Sequence, residues 1–288
     1  MKGGGEDMEY DLEILRAKQL IENADYILIG AGAGISTAAG LEYSGENFER
    51  NFKEYIEKYH FEDLYSASFY DFNTQEEKWA FWAKMIKLNR FNEEPLKLYQ
   101  ELLSLVKNKN YFVITTNVDG QFENAGFDTK KIFAVQGDYA LLQCENACRN
   151  KTYNNKELVK QWLENTENLK IPIKLVPKCP VCGGNMEMNL RKDANFVQDE
   201  NWYKQADKYD KFLDDAKNKN LVLLELGVGF NTPGIIRIPF EQMVFQNKNW
   251  NLVRVNKNNS FTYLDLEENV ILIEEDIEKV VEVWKKNK

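Results

Sequence analysis

The stretch Tyr26-Ile27-Leu28-Ile29-Gly30-Ala31-Gly32-Ala33-Gly34-Ile35-Ser36 is an apolar run that breaks into a glycine-rich turn. A run of this kind reads as a strand buried on both faces. The turn leads into a helix, where backbone N–H groups and the helix N-terminus can receive a pyrophosphate. The match to the dinucleotide fingerprint is imperfect, because Ile35 stands at the sixth position where glycine is expected. The chain that follows is helical and aromatic, so no second strand supplies a ribose-binding acid. Hydride transfer is therefore disfavoured.

Working outward, the pattern repeats at Tyr111-Thr115, Ile132-Val135, Leu221-Leu226, Leu252-Val255 and Val270-Ile273, with helical stretches at Asp11-Glu22, Glu94-Val106, Pro233-Phe245 and Asp276-Lys285. Strands alternating with helices at this spacing predict a doubly wound α/β fold with a parallel sheet. Two insertions interrupt it. Residues 43–92 read as helical and carry Phe48, Phe52, Tyr55, Tyr59, Phe69, Tyr70, Trp79, Phe81 and Trp82, mostly as packing. Residues 140–200 carry all four cysteines. The expected division is a large lobe of 1–42, 93–139 and 201–288, and a small lobe from the two insertions, with a cleft between them.

Cys144/Cys148 and Cys179/Cys182 form two pairs, the second in a Cys-Pro-Val-Cys-Gly-Gly turn of the zinc-ribbon kind. Four thiolates with no open position predict a structural zinc. Two structural disulfides or four unrelated buried thiols are the alternatives, the disulfides being disfavoured in a reducing compartment. The first pair departs from the tighter spacing by having three intervening residues.

Length and charge narrow the partners. A chain of 288 residues with 43% hydrophobic content can bury a substantial core, and its net charge of −9 with no basic stripe argues against nucleic acid. No apolar stretch reaches the length of a signal core or a membrane span, so a soluble, cytoplasmic protein is expected.

The remaining motifs lie at the carboxyl ends of the strands, where open α/β sheets bind ligands. These are Thr115-Thr116-Asn117-Val118-Asp119-Gly120, Val135-Gln136-Gly137-Asp138, Gly227-Val228-Gly229-Phe230-Asn231 and Asn256. Each alone is ordinary turn chemistry; their joint placement predicts a site.

On these pieces, together with Gly40, Ala125-Gly126 and the four cysteines, the sequence resembles the sirtuin family over nearly its whole length. The resemblance implies a Rossmann-like large lobe, a zinc-and-helix small lobe and NAD between them. It implies Gly32, Ala33 and Gly34 at the phosphates, and Asn117 and Asp119 around the nicotinamide and its ribose. Gly227, Gly229 and Asn256 would lie on the adenosine side, with the segment around Asp276 over adenine, and Asn231 in the same glycine turn is a further candidate cofactor contact. Two departures stand out. Gln136 replaces the family's histidine before Gly137, and Glu42-Tyr43-Ser44-Gly45 replaces its Pro-Asp-Phe-Arg, leaving Tyr43 as a candidate cofactor contact. The lone histidine, His60, falls in the aromatic insertion.

Both departures resemble the macrodomain-linked branch, called class M. That branch implies a protein mono-ADP-ribosyltransferase acting on a lipoylated H-like carrier protein, with a macrodomain hydrolase acting in reverse as a further partner. Glutamine cannot accept a ribose proton near neutral pH, and a positioned general base is typically worth roughly 10²–10⁴-fold. Gln136 can still hydrogen-bond ribose hydroxyls. Asn117, Asp119, Gln136 and Arg191 are therefore the candidate catalytic residues, Arg191 being equally readable as a lobe-bridging arginine. A deacylase with an unusual base and a non-catalytic NAD sensor are the competing readings.

Overall fold

The structure is a computed structural model and describes residues 6–41, 43–258, 261–266 and 269–286, with side chains from residue 12 onward. Glu42, the first residue of the departing Glu42-Gly45 segment, lies outside the described residues. Helix α1 (Glu6–Asn23) leads into strand β1 (Tyr26–Ala31) and helix α2 (Ala33–Ala38). Helices α3 (Glu46–Tyr59), α4 (Leu64–Ser68), α5 (Gln75–Asn89) and α6 (Lys97–Val106) follow, then β2 (Asn110–Thr115), α7 (Gln121–Asn124) and β3 (Ile132–Ala134). Next come β4 (Gly137–Cys144), β5 (Tyr153–Asn154), α8 (Lys156–Glu164) and β6 (Met186–Leu190). The chain closes with α9 (Glu200–Ala216), β7 (Leu221–Leu226), α10 (Arg237–Gln246), β8 (Trp250–Val255), β9 (Val270–Ile273) and α11 (Ile277–Lys285).

The main sheet has six parallel strands in the order β3-β2-β1-β7-β8-β9, the doubly wound arrangement with its switch point between β1 and β7. Alternate residues of one strand feed opposite layers. Ile27 and Ile29 pack with α1, α6 and α11, whereas Leu28 packs with Phe240 of α10 and Ala216 of α9. Burial on both faces is why these strands read as continuous apolar runs. Two expected helices begin later than their periodicity suggests. Glu94-Val106 starts at Lys97, after Pro95, and Pro233-Phe245 starts at Arg237, after a turn through Thr232, Pro233 and Gly234.

The two insertions share one core. Phe48, Phe52, Tyr55, Trp79, Phe81 and Trp82 pack with Tyr139, Trp162, Met186 and Met188 around the antiparallel sheet β5-β4-β6. Phe69 and Tyr70 depart from the packing role expected of most of these aromatics, being 60% and 40% exposed. The antiparallel sheet starts at Gly137, ahead of the expected boundary at 140. Gly137 is the pivot: its φ is +103° and an added Cβ would lie 1.9 Å from the Asn189 carbonyl oxygen, so only glycine fits where β4 meets β6. Among the described residues no helix is long and apolar enough to cross a membrane.

Candidate functional site

A cavity of about 550 Å³ opens at the carboxyl ends of β1, β2 and β7, facing β4 and β6, within the range of roughly 300–1,000 Å³ common for cofactor sites. It brings together Gly32, Ala33, Asn117, Asp119 and Gln136. Tyr43, Arg191, Gly229 and Asn231 also line it. Gly34, Gly227, Asn256 and Asp276 do not. Asn256 sits directly behind, its side-chain amide donating to the Val228 carbonyl at 3.0 Å. Asp276 caps α11, accepting from the Glu278 N–H at 2.9 Å.

Gly34 and Gly227 serve the cavity from underneath. The Gly34 N–H donates to the Gly227 carbonyl at 2.9 Å, and a Cβ on Gly34 would meet Gly227 Cα at 2.7 Å. Gly227 itself has φ +62°, and a Cβ there would lie 2.4 Å from the Ile35 nitrogen. Two backbones thus pass in direct contact, and the turn after β1 rests on the turn after β7. Gly32 is the N-cap of α2, in extended conformation. The opening between this turn and Gly229 is a cradle that glycine backbone leaves unfilled, which fits a pyrophosphate.

Sequence reasoning missed the residues that hold Asn117 and Asp119. Ser36 Oγ donates to Asp119 Oδ2 at 2.6 Å, receives the Asn117 side-chain N–H at 3.1 Å and lies 2.8 Å from the Tyr99 hydroxyl. One donor and two lone pairs are then used, so the Tyr99 hydroxyl is the donor to Ser36. Asn117 Nδ2 also donates to the Gly32 carbonyl at 2.9 Å, tying the end of β2 to the glycine turn. Asp119 accepts the Gln121 N–H at 3.1 Å on its other oxygen and is only 3% exposed. Burial raises its pKa above the ordinary carboxylate value, against the lowering effect of the Ser36 and Gln121 hydrogen bonds. Polar residues of the Ser36 and Tyr99 type, separated by 63 positions, carry no local spacing signal.

Arg90 is a second missed element. It is 5% exposed, with Nε donating to Asp138 Oδ1 at 2.7 Å, and Nη2 donating to Glu123 Oε2 at 2.7 Å. The same guanidinium reaches Asn124 Oδ1 at 3.2 Å, pinning α5 against α7 and β4. Gly120, with φ +64°, makes room: a Cβ there would sit 2.3 Å from the Arg90 guanidinium carbon.

Gln136 lies between β3 and β4, and its carbonyl accepts the Arg191 N–H at 3.0 Å. That bond holds Arg191 beside Gln136 at the cavity wall. Tyr43 contacts the Tyr139 hydroxyl at 3.4 Å, and burial raises its pKa, so it enters the cavity as a neutral phenol. His60 is exposed at the C-cap of α3, with φ +58°, and does not line the cavity.

The four cysteines converge. Cys144 and Cys182 Sγ are 3.6 Å apart, Cys148 and Cys179 Sγ are 3.5 Å apart, and all four sulfurs lie within 4.8 Å of one another. Tetrahedral zinc with Zn–S near 2.3 Å requires sulfurs roughly 3.8 Å apart, so the donors fit the ion. None of the four is in a disulfide, and sulfurs that converge on one point are not unrelated thiols. The longer first spacing is accommodated by Ala147, whose φ of +46° and N–H to the Cys144 carbonyl at 2.9 Å tighten the loop.

The chain is similar to several known proteins. A protein ADP-ribosyltransferase of Staphylococcus aureus is 36% identical over 270 residues, covering 93% of this chain and 85% of that protein. A probable bifunctional ADP-ribose hydrolase/ADP-ribosyltransferase of Fusarium oxysporum f. sp. cubense is 34% identical over 243 residues, 80% of this chain but 40% of that protein. A solved Sir2 enzyme bound to a propionylated peptide superposes with a TM-score of 0.56 at 18% identity, covering 94% of this chain and 96% of that one, and shares the fold. The model of the Sir2 family matches residues 32–224, a span that holds the glycine turn, Asn117, Gln136 and all four cysteines, and the chain belongs to that family.

Proposed function

We propose that the protein is an NAD-dependent protein mono-ADP-ribosyltransferase that modifies a lipoylated H-like carrier protein and releases nicotinamide. One observation carries the reading: the position next to the Gly137 pivot, facing the cavity, is an amide. Among the described residues lining the cavity the titratable carboxylates are already engaged, Asp119 by Ser36 and Gln121, and Glu187 by Lys78 at 2.7 Å and Lys192 at 2.9 Å. A proton-accepting step on the ribose therefore has no free carboxylate to serve it, whereas transfer to an acceptor group that is already deprotonated needs no base from this chain.

NAD, when bound, supplies the ADP-ribosyl group, its bond to nicotinamide breaking as the acceptor's nucleophile bonds to the ribose carbon. In this reading the glycine turn holds the phosphates, and Gly229 and Asn256 support the adenosine side, with Asn231 as a further contact to the cofactor. Asn117 presents its free carbonyl oxygen to the ribose, because both of its N–H directions point to Gly32 and Ser36. Asp119 and its relay fix the carboxamide end. Gln136 holds ribose hydroxyls, and Arg191 guides the acceptor. The zinc cluster braces the antiparallel sheet that carries Gln136 and Arg191, and thiolate zinc ligands suit a cytoplasmic location.

The lipoylated acceptor and the macrodomain hydrolase are the finer parts of the proposal. The Fusarium relative couples a hydrolase and a transferase in one name, which supports a reversing partner. Intact-protein mass spectrometry after incubation of enzyme and NAD with lipoylated and unlipoylated carrier tests the reading. One ADP-ribosyl group added to the lipoylated form is expected. No addition to either form, with nicotinamide still bound in NAD, overturns it.

A further inference from the structure

The layer between the main sheet and α10 is built from Leu28, Leu223, Leu252, Phe240 and Val244, yet four charged side chains are buried beside them. Glu225 of β7 and Arg254 of β8 are direct partners across the two strands, and Arg237 and Glu241 stand one turn apart on α10. Each is 0% exposed. Arg254 meets Glu225 through Nε and Nη2, each at 2.8 Å, and Glu241 through Nη1 at 2.8 Å. Arg237 Nη1 lies 3.5 Å from Glu225 Oε1. Buried ion pairs seldom stabilise a fold more than apolar side chains of the same volume would, and the best-attested reason to keep them is that they impose one arrangement.

What they arrange here is backbone at the edge of the main cavity. Arg237 Nη1 donates to the Val228 carbonyl at 3.3 Å, and Nη2 donates to the Phe261 carbonyl at 2.8 Å. Val228 lines the cavity beside Gly229, and its carbonyl is the one that also accepts the Asn256 amide at 3.0 Å. Arg254 Nη1 donates to the same Phe261 carbonyl, and Glu241 Oε2 accepts the N–H groups of Tyr263 and Leu264 at 2.7 and 3.1 Å. Two rings complete the contact: Phe230 and Phe261 stack at 5.5 Å and 17°, with the Arg237 guanidinium carbon 4.5 Å and 5.1 Å from their centroids. One guanidinium thus joins the turn after β7 to segment 261–264, through two carbonyls and two aromatic rings.

We propose that Arg237 is a positioning residue for the cofactor: by holding Val228 and Phe261 together it keeps Gly229 and Asn256 at the spacing that the adenosine half of NAD fills, and so sets affinity for NAD rather than the rate of transfer. The inference rests on the proposed placement of the adenosine beside Gly229 and Asn256. A planar fork is required, because the same group donates to two diverging carbonyls while packing against two rings. A lysine ammonium is a point charge on a single stem, which can keep the ion pair with Glu225 but cannot make both carbonyl contacts in that geometry.

Isothermal titration calorimetry of NAD and of ADP-ribose on the full chain tests this with Arg237→Lys, Phe261→Ala and Val244→Ala. Arg237→Lys should weaken both ligands about tenfold, the scale of one charge-assisted hydrogen bond, and by the same factor, because the two share the adenosine half. Phe261→Ala removes a half-exposed ring and leaves the carbonyl in place, so it should fold as wild type does and weaken both ligands about threefold. Val244→Ala empties buried space two turns further along α10, and should lower Tm while leaving both affinities unchanged. In the transfer assay Arg237→Lys should raise KM for NAD about tenfold at unchanged kcat. Affinity unchanged in both Arg237→Lys and Phe261→Ala overturns the proposal, as does a fall in kcat at unchanged KM. Gly229→Ala separates the causes. If it weakens NAD binding while the other two do not, the adenosine placement stands and the role of Arg237 falls; if it too is without effect, the placement falls as well.

Discussion

Replacing Gly34 by alanine puts a methyl carbon 2.7 Å from Gly227 Cα and 2.8 Å from its carbonyl oxygen, both backbone atoms that no rotamer change can move aside. The turn after β1 must then lift off the turn after β7, stretching the 2.9 Å bond from the Gly34 N–H to the Gly227 carbonyl. Overpacking of this kind costs about 1–3 kcal/mol and the hydrogen bond about 0.5–1.5, so a loss of roughly 2–4 kcal/mol is expected. For a chain of this size that corresponds to a fall in Tm of roughly 4–8 °C. Gly229→Ala is the control, because an added Cβ there meets nothing within 4 Å and the glycine lines the cavity. It should shift stability by less than about 0.5 kcal/mol and act on NAD affinity instead. Thermal denaturation followed by circular dichroism, with NAD titration calorimetry on both variants, separates the two. A Gly34→Ala variant melting with the wild type would refute the idea that these glycines serve backbone contact.

Other perturbations follow from the same contacts. Asn117→Ala loses hydrogen bonds to Gly32 and Ser36, worth about 1–3 kcal/mol together, so it should melt a few degrees early yet cooperatively while transfer is abolished; transfer at the wild-type rate contradicts its placement. Arg90→Met leaves Asp138 a largely buried carboxylate without its cation, costing about 3–5 kcal/mol by urea denaturation. Burial already raises the folded-state pKa of Asp138, and loss of Arg90 raises it further. The folded state then binds more protons than the unfolded state above the unfolded carboxylate pKa, so the variant's deficit should grow as pH rises through that window and shrink on acidification. Elemental analysis should find one zinc per chain in reduced protein, and Cys179→Ala or a strong chelator should lower Tm; full stability without zinc contradicts the assignment.

Much of this architecture was legible in the sequence because strands buried on two faces must be apolar throughout. Val270-Ile273 and Leu221-Leu226 match their strands end to end. Helix α9 was not singled out, since only Ala216 in it is fully buried. Its signal was present as Trp202, Ala206, Tyr209 and Leu213, a half-buried stripe at helical spacing that packs on one face of the sheet. The candidate site divided in a similar way. Residues at strand ends, such as Asn117 and Gln136, are located by the strands that precede them. Ser36 ends the glycine-rich stretch, yet its partners Tyr99 and Asp119, like the partners of Arg90, lie many positions away, so its role is not marked locally. The glycine turn was readable as a turn, but its contact with Gly227 belongs to the switch point between β1 and β7, which only the assembled sheet brings together.

In the proposed function, Gln136 suits this cleft to transfer to a protein and not to deacylation. It is tested most directly by paired rates of ADP-ribosyl transfer to the lipoylated carrier and NAD-dependent deacylation of an acylated peptide. Wild type, Gln136→Ala and Gln136→His should be measured on one enzyme concentration and one NAD concentration. Wild type should transfer and scarcely deacylate, Gln136→Ala should transfer at least tenfold more slowly, an effect of about 1.4 kcal/mol, and Gln136→His should gain at most slight deacylation. Efficient deacylation by wild type, together with undiminished transfer by Gln136→Ala, would contradict it.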